Sequence, residues 1–381
     1  MTDWKSSLRT DPMPWLLENA CAATRYRVLT ELMEIPKDDP VVKEARAAAF
    51  EYDVGLAIEK KQKKDGTWGT AIHAGDPRKY LNCTENNLWR LFEFGWNRDC
   101  KAVRNAAKTL RSFMTGKKDL KFFEFAKVVK ADEARERYYR WFLRILSLGM
   151  LTRAGYVEEK NRNAILELLD MTAGFVDNPA SRNPTEEIGA SLPLIRFDAY
   201  SRGYPFFPDF YSILVFAHSE WLLGGELAKM RLKKIFDYMM SPLYQELAPD
   251  LGLVRTSKGS FARSNGIKLF PLEHYQKKGH LDELLVQLEL FARLGLINRY
   301  PILMQQLDWL QGLQGKDGRW NLSTKLMSDS SRWIHLLRLE KDWRSPTRKE
   351  ADLTFRMLLI MKHQWERQIL MLGRRDDSYP I

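Results

Sequence analysis

Apolar helical segments that end in a glycine recur along this chain of 381 residues. In the stretch Leu88-Trp-Arg-Leu-Phe-Glu-Phe-Gly95 the apolar residues fall at helical spacing, and the same layout returns at Trp141–Gly149 and Leu284–Gly295. Glycine ends a helix readily because it lacks a Cβ and takes the left-handed conformation that closes the last turn. Repeated helical segments that end in glycine predict a succession of helices rather than a sheet-based fold.

A second, amphipathic helix is predicted after the glycine in each case. Lys101–Met114 follows Gly95, and Pro301–Leu313 follows Gly295, with a leucine fifteen residues after the glycine both times. The repeated register indicates a repeated helix–turn–helix unit. About six such pairs are predicted, near 15–60, 81–115, 138–174, 209–247, 280–313 and 331–370.

Two irregular stretches interrupt the helical pattern. Asp177–Pro208 and Pro249–Pro271 are rich in Pro, Gly, Ser and Asn, which favour loops. Loops of this length inside a compact helical domain are commonly functional or disordered. Alternating strand patterns are sparse elsewhere, so the sequence predicts an all-α protein.

Composition and charge narrow the classes of protein. Apolar residues make up 45% of the chain, and its mean hydropathy is −0.41. No run of about 18 apolar residues occurs, so no membrane span is expected. We expect a cytoplasmic protein without a signal peptide. Three widely spaced cysteines suggest free thiols and no zinc site. The net charge of +11 favours solubility or attraction to a phosphate or an anionic membrane face. No nucleic-acid-binding motif accompanies it, so no nucleic-acid partner is expected.

A short motif occurs twice and carries most of the fold information. Gln62-Lys-Lys-Asp-Gly-Thr-Trp68 is matched by Gln314-Gly-Lys-Asp-Gly-Arg-Trp320, with the same spacing from glutamine to tryptophan. Asp-Gly favours a tight turn, the glutamine amide can bond backbone groups at a helix end, and the tryptophan can cover them. We therefore predict that Gln62, Trp68, Gln314 and Trp320 form two clamps between helix pairs.

The two clamp segments resemble the QW motifs of squalene–hopene cyclases and related α/α toroids, which include class II terpene cyclases and the β-subunits of protein prenyltransferases. The resemblance implies an (α/α)₆ toroid of about six helix pairs around a central apolar pocket. It implies N-terminal HEAT-like helices at 1–60, the toroid at 61–370 and a C-terminal tail at 371–381. Without the resemblance, an open solenoid of the same helix pairs is the alternative.

The catalytic motifs of that superfamily do not accompany the scaffold. Class II cyclases protonate an isoprenoid through an Asp-x-Asp-Asp motif, which this chain lacks; the nearest strings are Lys37-Asp-Asp-Pro40 and Arg375-Asp-Asp-Ser378. Cys83 and Cys100 lack the neighbours of a prenyltransferase zinc site. No metal and no cofactor are therefore predicted.

Four acid–base candidates stand near the predicted starts of the inner helices. Glu85 begins one helix, Asp209 precedes another, and Glu273 and His274 precede a third. Each also has a structural interpretation: Asp209 as a helix N-cap worth about 1 kcal/mol, Glu85 as a partner of the helix dipole, and His274 as a bonded structural histidine. If the chain closes into a toroid, these residues project toward one rim.

Aromatic and basic residues nearby complete the predicted site. Aromatic faces can stabilise a carbocation and arginines can hold a diphosphate or carboxylate, although core packing and solvated loop charges are the ordinary alternatives. The candidate substrate-binding residues are Tyr200, Tyr204, Phe206, Phe207, Tyr275, Arg196 and Arg263.

Three functions follow from these observations. The first is an isoprenoid-handling toroid with an apolar or isoprenoid ligand in a central cavity, either a cyclase with a non-standard acid or a binding relative. Its substrate would bring it into peripheral contact with membranes. The second is a carbohydrate-active lyase or hydrolase, which needs an open cleft with paired carboxylates or a Tyr/His pair near an arginine. The third is a non-catalytic interaction scaffold with a large exposed patch. The repeated clamps favour the first.

Overall fold

A computed structural model describes residues 4–74, 80–116, 132–186, 192–257, 259–327 and 331–372, with side chains described as far as Arg367. The described residues are predominantly helical, which confirms the all-α class. No described helix has the length and apolar content needed to cross a membrane.

The helices follow the predicted succession except near 15–60 and near 209–247, where the short helix Pro242–Leu247 follows the predicted pair. Where one pair was expected near 15–60, four short helices occur, interrupted by a π-helical turn at Val28–Leu32. The helices are α1 Met13–Asn19, α2 Ala22–Arg27, α3 Pro40–Phe50, α4 Asp53–Lys60, α5 Thr84–Glu93, α6 Lys101–Met114, α7 Glu133–Arg153, α8 Glu159–Asp177, α9 Phe210–Ala217, α10 Glu226–Met239, α11 Pro242–Leu247, α12 Leu272–Lys277, α13 Leu281–Arg293, α14 Pro301–Gly312, α15 Arg332–Leu337 and α16 Pro346–Leu372.

Glycines close three of these helices in the same way. Gly95, Gly155 and Gly295 have φ of 80°, 89° and 67°. At Gly95 the amide donates to the Phe92 carbonyl, and the next amide donates to the Leu91 carbonyl five residues back. This pair of bonds is the Schellman motif, which satisfies carbonyls at the end of a helix.

The predicted helix end at Gly149 is wrong. Helix α7 continues through Gly149 to Arg153 and closes at Gly155 instead. A Cβ on Gly149 would lie 3.2 Å from Leu214 Cδ2, so this glycine lets α9 pack closely against α7. The sequence cannot distinguish a glycine that ends a helix from one that admits a neighbour.

The two irregular stretches contribute a small sheet that the sequence did not predict. Its strands are β1 Thr185–Glu186, β2 Leu194–Ile195, β3 Leu253–Thr256 and β4 Gly259–Ala262. They lie in the order β1-β2-β3-β4; the outer pairings are antiparallel and the central one, through Leu194 and Leu253, is parallel. Strands of two to four residues leave too few alternating positions to be recognised in a sequence.

The chain divides into two compact units. Unit 1 comprises Met1–Lys63, Gly75–Ala102 and Phe270–Ile381, and unit 2 comprises Lys64–Ala74 and Val103–Leu269. In unit 1, α13 packs against α16 and α15, and α2 packs against α3. In unit 2, α7 packs against α9, and α8 against α10. The division into 1–60, 61–370 and 371–381 remains a prediction, and positions 373–381 of its tail lie outside the described residues.

The second clamp segment lies in unit 1 and forms hydrogen bonds with the N-terminal part of the chain. The Gln314 amide nitrogen donates to the carbonyls of Gly318 at 2.8 Å and Thr10 at 3.1 Å, while its oxygen accepts from the Arg9 amide at 2.8 Å. Trp320 is fully buried and its indole nitrogen donates to the Leu310 carbonyl at 2.7 Å. The clamp therefore ties the end of α14 to the segment before α1.

The first clamp segment makes corresponding contacts. The Gln62 side chain in unit 1 donates to the Ala102 carbonyl at 2.7 Å. In unit 2, the Asp65 carbonyl accepts a hydrogen bond from the Thr109 hydroxyl, and Trp68 is 1% exposed. Both tryptophans are thus buried, as expected for clamps.

Candidate functional site

The sequence-predicted site residues are divided between the two units. Seven lie in unit 2, namely Asp209, Arg263, Tyr200, Tyr204, Phe206, Phe207 and Arg196. Four lie in unit 1, namely Glu85, Glu273, His274 and Tyr275.

In unit 2, Asp209 and Arg263 form a fully buried ion pair. The Arg263 guanidinium lies 2.7 Å from Asp209 Oδ2, and the side chains are 0% and 1% exposed. Asp209 also caps α9, accepting from the Ser212 amide at 2.8 Å in a reciprocal capping box. Arg263 donates further to the carbonyls of Pro205, Phe207 and Ser264. This carboxylate has a structural partner on each side, so its N-cap interpretation is confirmed and its catalytic role stays a prediction.

The predicted aromatic residues of unit 2 surround this ion pair. The Arg263 guanidinium lies 4.7 Å from the centre of the Tyr204 ring, and Tyr204 stacks on Tyr138 at 4.8 Å. Phe206 packs against Tyr204 at 4.9 Å, and all three predicted rings, including Phe207, are buried. The rings and the pair form a packed core layer.

Tyr200 and Arg196 have other partners near the surface of unit 2. The half-buried Tyr200 hydroxyl accepts from the Arg255 amide at 3.1 Å. Arg196 pairs with Asp198 at 2.8 Å, and both side chains are largely exposed.

In unit 1, the Glu273–Tyr275 triplet occupies the first turn of α12, and its members point to different surroundings. Tyr275 is buried and its hydroxyl accepts from the Phe270 amide at 3.1 Å, while Glu273 is exposed. His274 stacks on the Phe270 ring at 4.0 Å and lies 5.2 Å from the ring of His280. His280, the neighbour of His274, lines a cleft.

Glu85 is buried in the first turn of α5. Burial raises the pKa of the neighbouring Tyr80 hydroxyl well above its usual value, and the negative charge of Glu85 raises it further. The positive charge of Arg332 opposes both effects. The charges of Glu85 and Arg332 therefore both act on the Tyr80 hydroxyl, in opposite directions.

A half-open cleft of about 320 Å³ lies in unit 1 next to His274. Its size falls within the usual range for small-ligand sites. It is lined by Lys278, Gly279, His280, Asp282, Glu283, Lys325, Leu326, Met327, Ser331 and Trp333.

Local backbone geometry sets the two carboxyl groups at the cleft. His280 adopts the left-handed conformation with φ of 65° and directly precedes α13. Asp282 and Glu283 then fall in the first turn of that helix, where acidic residues are favoured by the helix dipole. Helix α15 packs against α13, which brings Ser331 and Trp333 to the same cleft.

The surroundings of the two carboxyl groups favour protonation. Burial raises the pKa of Asp282, and a hydrogen bond from Ser331 opposes the shift. Asp282 is 1% exposed, and its Oδ2 atom has no hydrogen-bond partner among the described residues. Burial also raises the pKa of Glu283, whereas the charges of Arg332 and His280 lower it; His280 Nδ1 lies 3.4 Å from Glu283 Oε2.

Such an arrangement can move protons. A carboxyl whose pKa is raised by burial is suited to donate a proton, and a neighbouring carboxylate is suited to accept one. Sequence reasoning missed Asp282 and Glu283 because acidic residues in a first helical turn are ordinary. It also missed His280 and Trp333, whose positions carry no local motif.

No group of three or more His, Cys, Asp or Glu is placed to hold a metal ion in the part of the chain that the structure describes. No protein-family model, no curated protein and no solved structure matches this chain. The function is therefore argued from the cleft and from the clamp geometry.

Proposed function

We propose that the unit 1 cleft binds a sugar-like polar ligand and that Asp282 and Glu283 carry out acid–base catalysis on it. The chain would then be a carbohydrate-active lyase or hydrolase. The observation that carries this proposal is the buried Asp282 carboxyl, which lines an open cleft with one oxygen unbonded within the described structure. Buried polar atoms are normally hydrogen-bonded, so an oxygen that the described protein leaves unsatisfied is a candidate to bond a ligand group.

The cleft lining combines polar and apolar groups, as a sugar site does. Charged and hydroxyl-bearing side chains can bond ligand hydroxyls, and Leu326, Met327 and Trp333 add apolar surface. Desolvating two carboxyls and two lysines against a hydrocarbon would be costly, whereas ligand hydroxyls can bond them.

The two carboxyl groups take different roles in this proposal. Asp282 is the more buried group and is assigned the role of general acid, because burial raises its pKa. Glu283 is assigned the role of base; burial raises its pKa as well, but the charges of Arg332 and His280 oppose that rise. Glycosidic bond cleavage requires one protonated and one ionised carboxyl.

Variants of the two carboxyls test the proposal. A panel of oligosaccharides would be screened by thermal shift and by product release with the native chain, Asp282→Asn and Glu283→Gln. Loss of a general acid or base costs about 10²–10⁴ in rate. The matched control is Glu273→Gln, because Glu273 is exposed on the neighbouring α12 and does not line the cleft. Cleavage that survives Asp282→Asn, or an absence of binding across the panel, would refute the proposal.

For the fold, we propose that the helix pairs close into an (α/α)₆ toroid. The clamps support this, because the second one ties α14 to the N-terminal segment and so links distant parts of the sequence. Small-angle X-ray scattering distinguishes a closed ring of helices from an extended solenoid by the maximum dimension. An elongated particle would contradict the toroid.

The clamp geometry also favours a second function, an isoprenoid-binding toroid. Buried Gln–Trp clamps are what the resemblance to squalene–hopene cyclases implies, and Asp282 would serve as the non-standard acid. Thermal shift with isoprenoid diphosphates and co-sedimentation with anionic vesicles would test ligand binding and peripheral membrane contact. If neither an isoprenoid nor an oligosaccharide raises the melting temperature, the interaction-scaffold alternative gains support.

A further inference from the structure

We infer that the ligand of the unit 1 cleft carries an anionic group, most simply the carboxylate of an acidic sugar, and that Lys278 and Lys325 bind it. This inference rests on the function proposed above and specifies its substrate class. The observation behind it is the pair of lysines on the rim of the cleft.

The two lysines come from different segments that the fold brings together. Lys278 follows α12, and Lys325 lies in the 3₁₀ turn Thr324–Leu326, which packs against α12. A Cβ on Gly279 would lie 3.5 Å from the Leu326 carbonyl oxygen, so the two segments are in close contact. Both lysines are exposed, and neither forms an ion pair with a carboxylate of the described chain.

The charge balance of the cleft favours an anion. His280 Nδ1 already lies 3.4 Å from Glu283 Oε2, and Asp282 is buried, so Lys278 and Lys325 line the cleft without a carboxylate partner in the described chain. Arg332 already places a positive charge near Glu283. A neutral ligand leaves this positive excess unbalanced, whereas an anionic one complements it and is drawn toward the cleft.

The inference predicts a difference between matched ligands. Isothermal titration would compare a uronate oligosaccharide, its neutral counterpart and a sugar phosphate on the native chain, on Lys278→Gln/Lys325→Gln and on Lys277→Gln. Lys277 is the control because it is exposed next to Lys278 but does not line the cleft. We expect the double variant to weaken uronate binding about tenfold or more, and increasingly so at low salt, while binding of the neutral ligand stays unchanged.

The outcomes separate this inference from the proposed function. If the sugar phosphate alone shows the lysine dependence, the anion is a phosphate and the carboxylate assignment is wrong. If the neutral ligand binds as tightly as the uronate and Asp282→Asn still abolishes cleavage, the anionic-group inference fails while the acid–base function stands. If no oligosaccharide binds, both are overturned.

Discussion

At the scale of single residues, the glycines of the clamps are the positions that tolerate substitution least. Gly66 and Gly318 have φ of 82° and 84°, a conformation that other residues adopt only with strain. A Cβ on Gly318 would also lie 2.5 Å from the Thr10 carbonyl oxygen. Backbone conformation and close approach therefore both require glycine in the Asp-Gly turn.

Gly318→Ala is expected to destabilise the protein by about 1–3 kcal/mol, because the added Cβ meets backbone in a strained conformation. The control is Gly312→Ala at the end of α14, where a Cβ has no heavy atom within 4 Å. Alanine has a higher helix propensity than glycine, so that variant should gain up to about 1 kcal/mol in its free energy of unfolding. Urea denaturation of both variants measures the difference, and equal midpoints would contradict the close-approach argument.

His335 makes stability depend on pH. Burial lowers the pKa of this imidazole from its usual value near 6.5 to about 4, and the positive charges of Arg338 and Arg90 add to the shift. Between these values the unfolded chain binds a proton that the folded chain does not, so stability falls as pH is lowered from about 6.5 to 4. We expect a loss of up to about 3 kcal/mol, reduced in His335→Gln. Unfolding free energies at several pH values measure it; identical slopes would exclude His335 as the cause.

At the scale of elements, a buried chain of alternating charges joins four helices of unit 1. Arg27 of α2 pairs with Glu93 of α5 at 2.6 Å, and Arg356 of α16 pairs with Glu93 at 2.8 Å. Arg356 also pairs with Glu289 of α13, which in turn bonds Arg293 at 2.9 Å. Each charge in this series has an opposite neighbour, so the helices are held in one relative register.

Arg356→Met is expected to destabilise the protein by about 3–5 kcal/mol, because it leaves buried carboxylates of two helices short of a partner. The control is Lys233→Met, which removes an ion pair with Asp237 on α10 whose side chains are 52% and 48% exposed. Exposed pairs of this type contribute about 0.3–0.5 kcal/mol. Denaturant unfolding compares the two, and a loss in Arg356→Met no larger than in the control would show that the network is not stabilising.

At the scale of the whole molecule, buried tyrosines recur in both units. Tyr138, Tyr204 and Tyr244 in unit 2 and Tyr275 in unit 1 are almost completely buried. Burial raises the pKa of each of these hydroxyls above its usual value. The folded chain therefore keeps protons that the unfolded chain releases near pH 10, and stability is lost as pH rises above about 10.

Alkaline titration should therefore reveal two classes among the 14 tyrosines. Hydroxyls of half-buried side chains should ionise before the helices are lost, whereas the fully buried ones ionise together with loss of helical structure. Tyrosinate absorbance and circular dichroism, followed on the same samples, test the coincidence. In denaturant all tyrosines should titrate in one step. A single reversible step with the helices intact would contradict the assignment of buried hydroxyls.

Part of the candidate site was accessible from local sequence. The Asp209 cap could be predicted because a cap depends on residues within one helical turn. Its ion pair with Arg263, 54 positions away, could not be predicted, because many arginines in the loops were equivalent partners. The cleft could not be predicted from local sequence either, because Asp282 and Trp333 lie on different helices that only packing brings together.

Local sequence is enough to predict the helical class, the glycine closures at Gly95 and Gly295 and the burial of Trp68 and Trp320, because helix periodicity and turn conformation depend on neighbouring residues. Only the packing of the chain shows that Gly149 admits a neighbouring helix, that the second clamp bonds Thr10, and that two carboxyls, a histidine and two lysines meet in one cleft. These contacts join residues far apart in the chain, and packing selects them among many pairs that the sequence leaves equivalent.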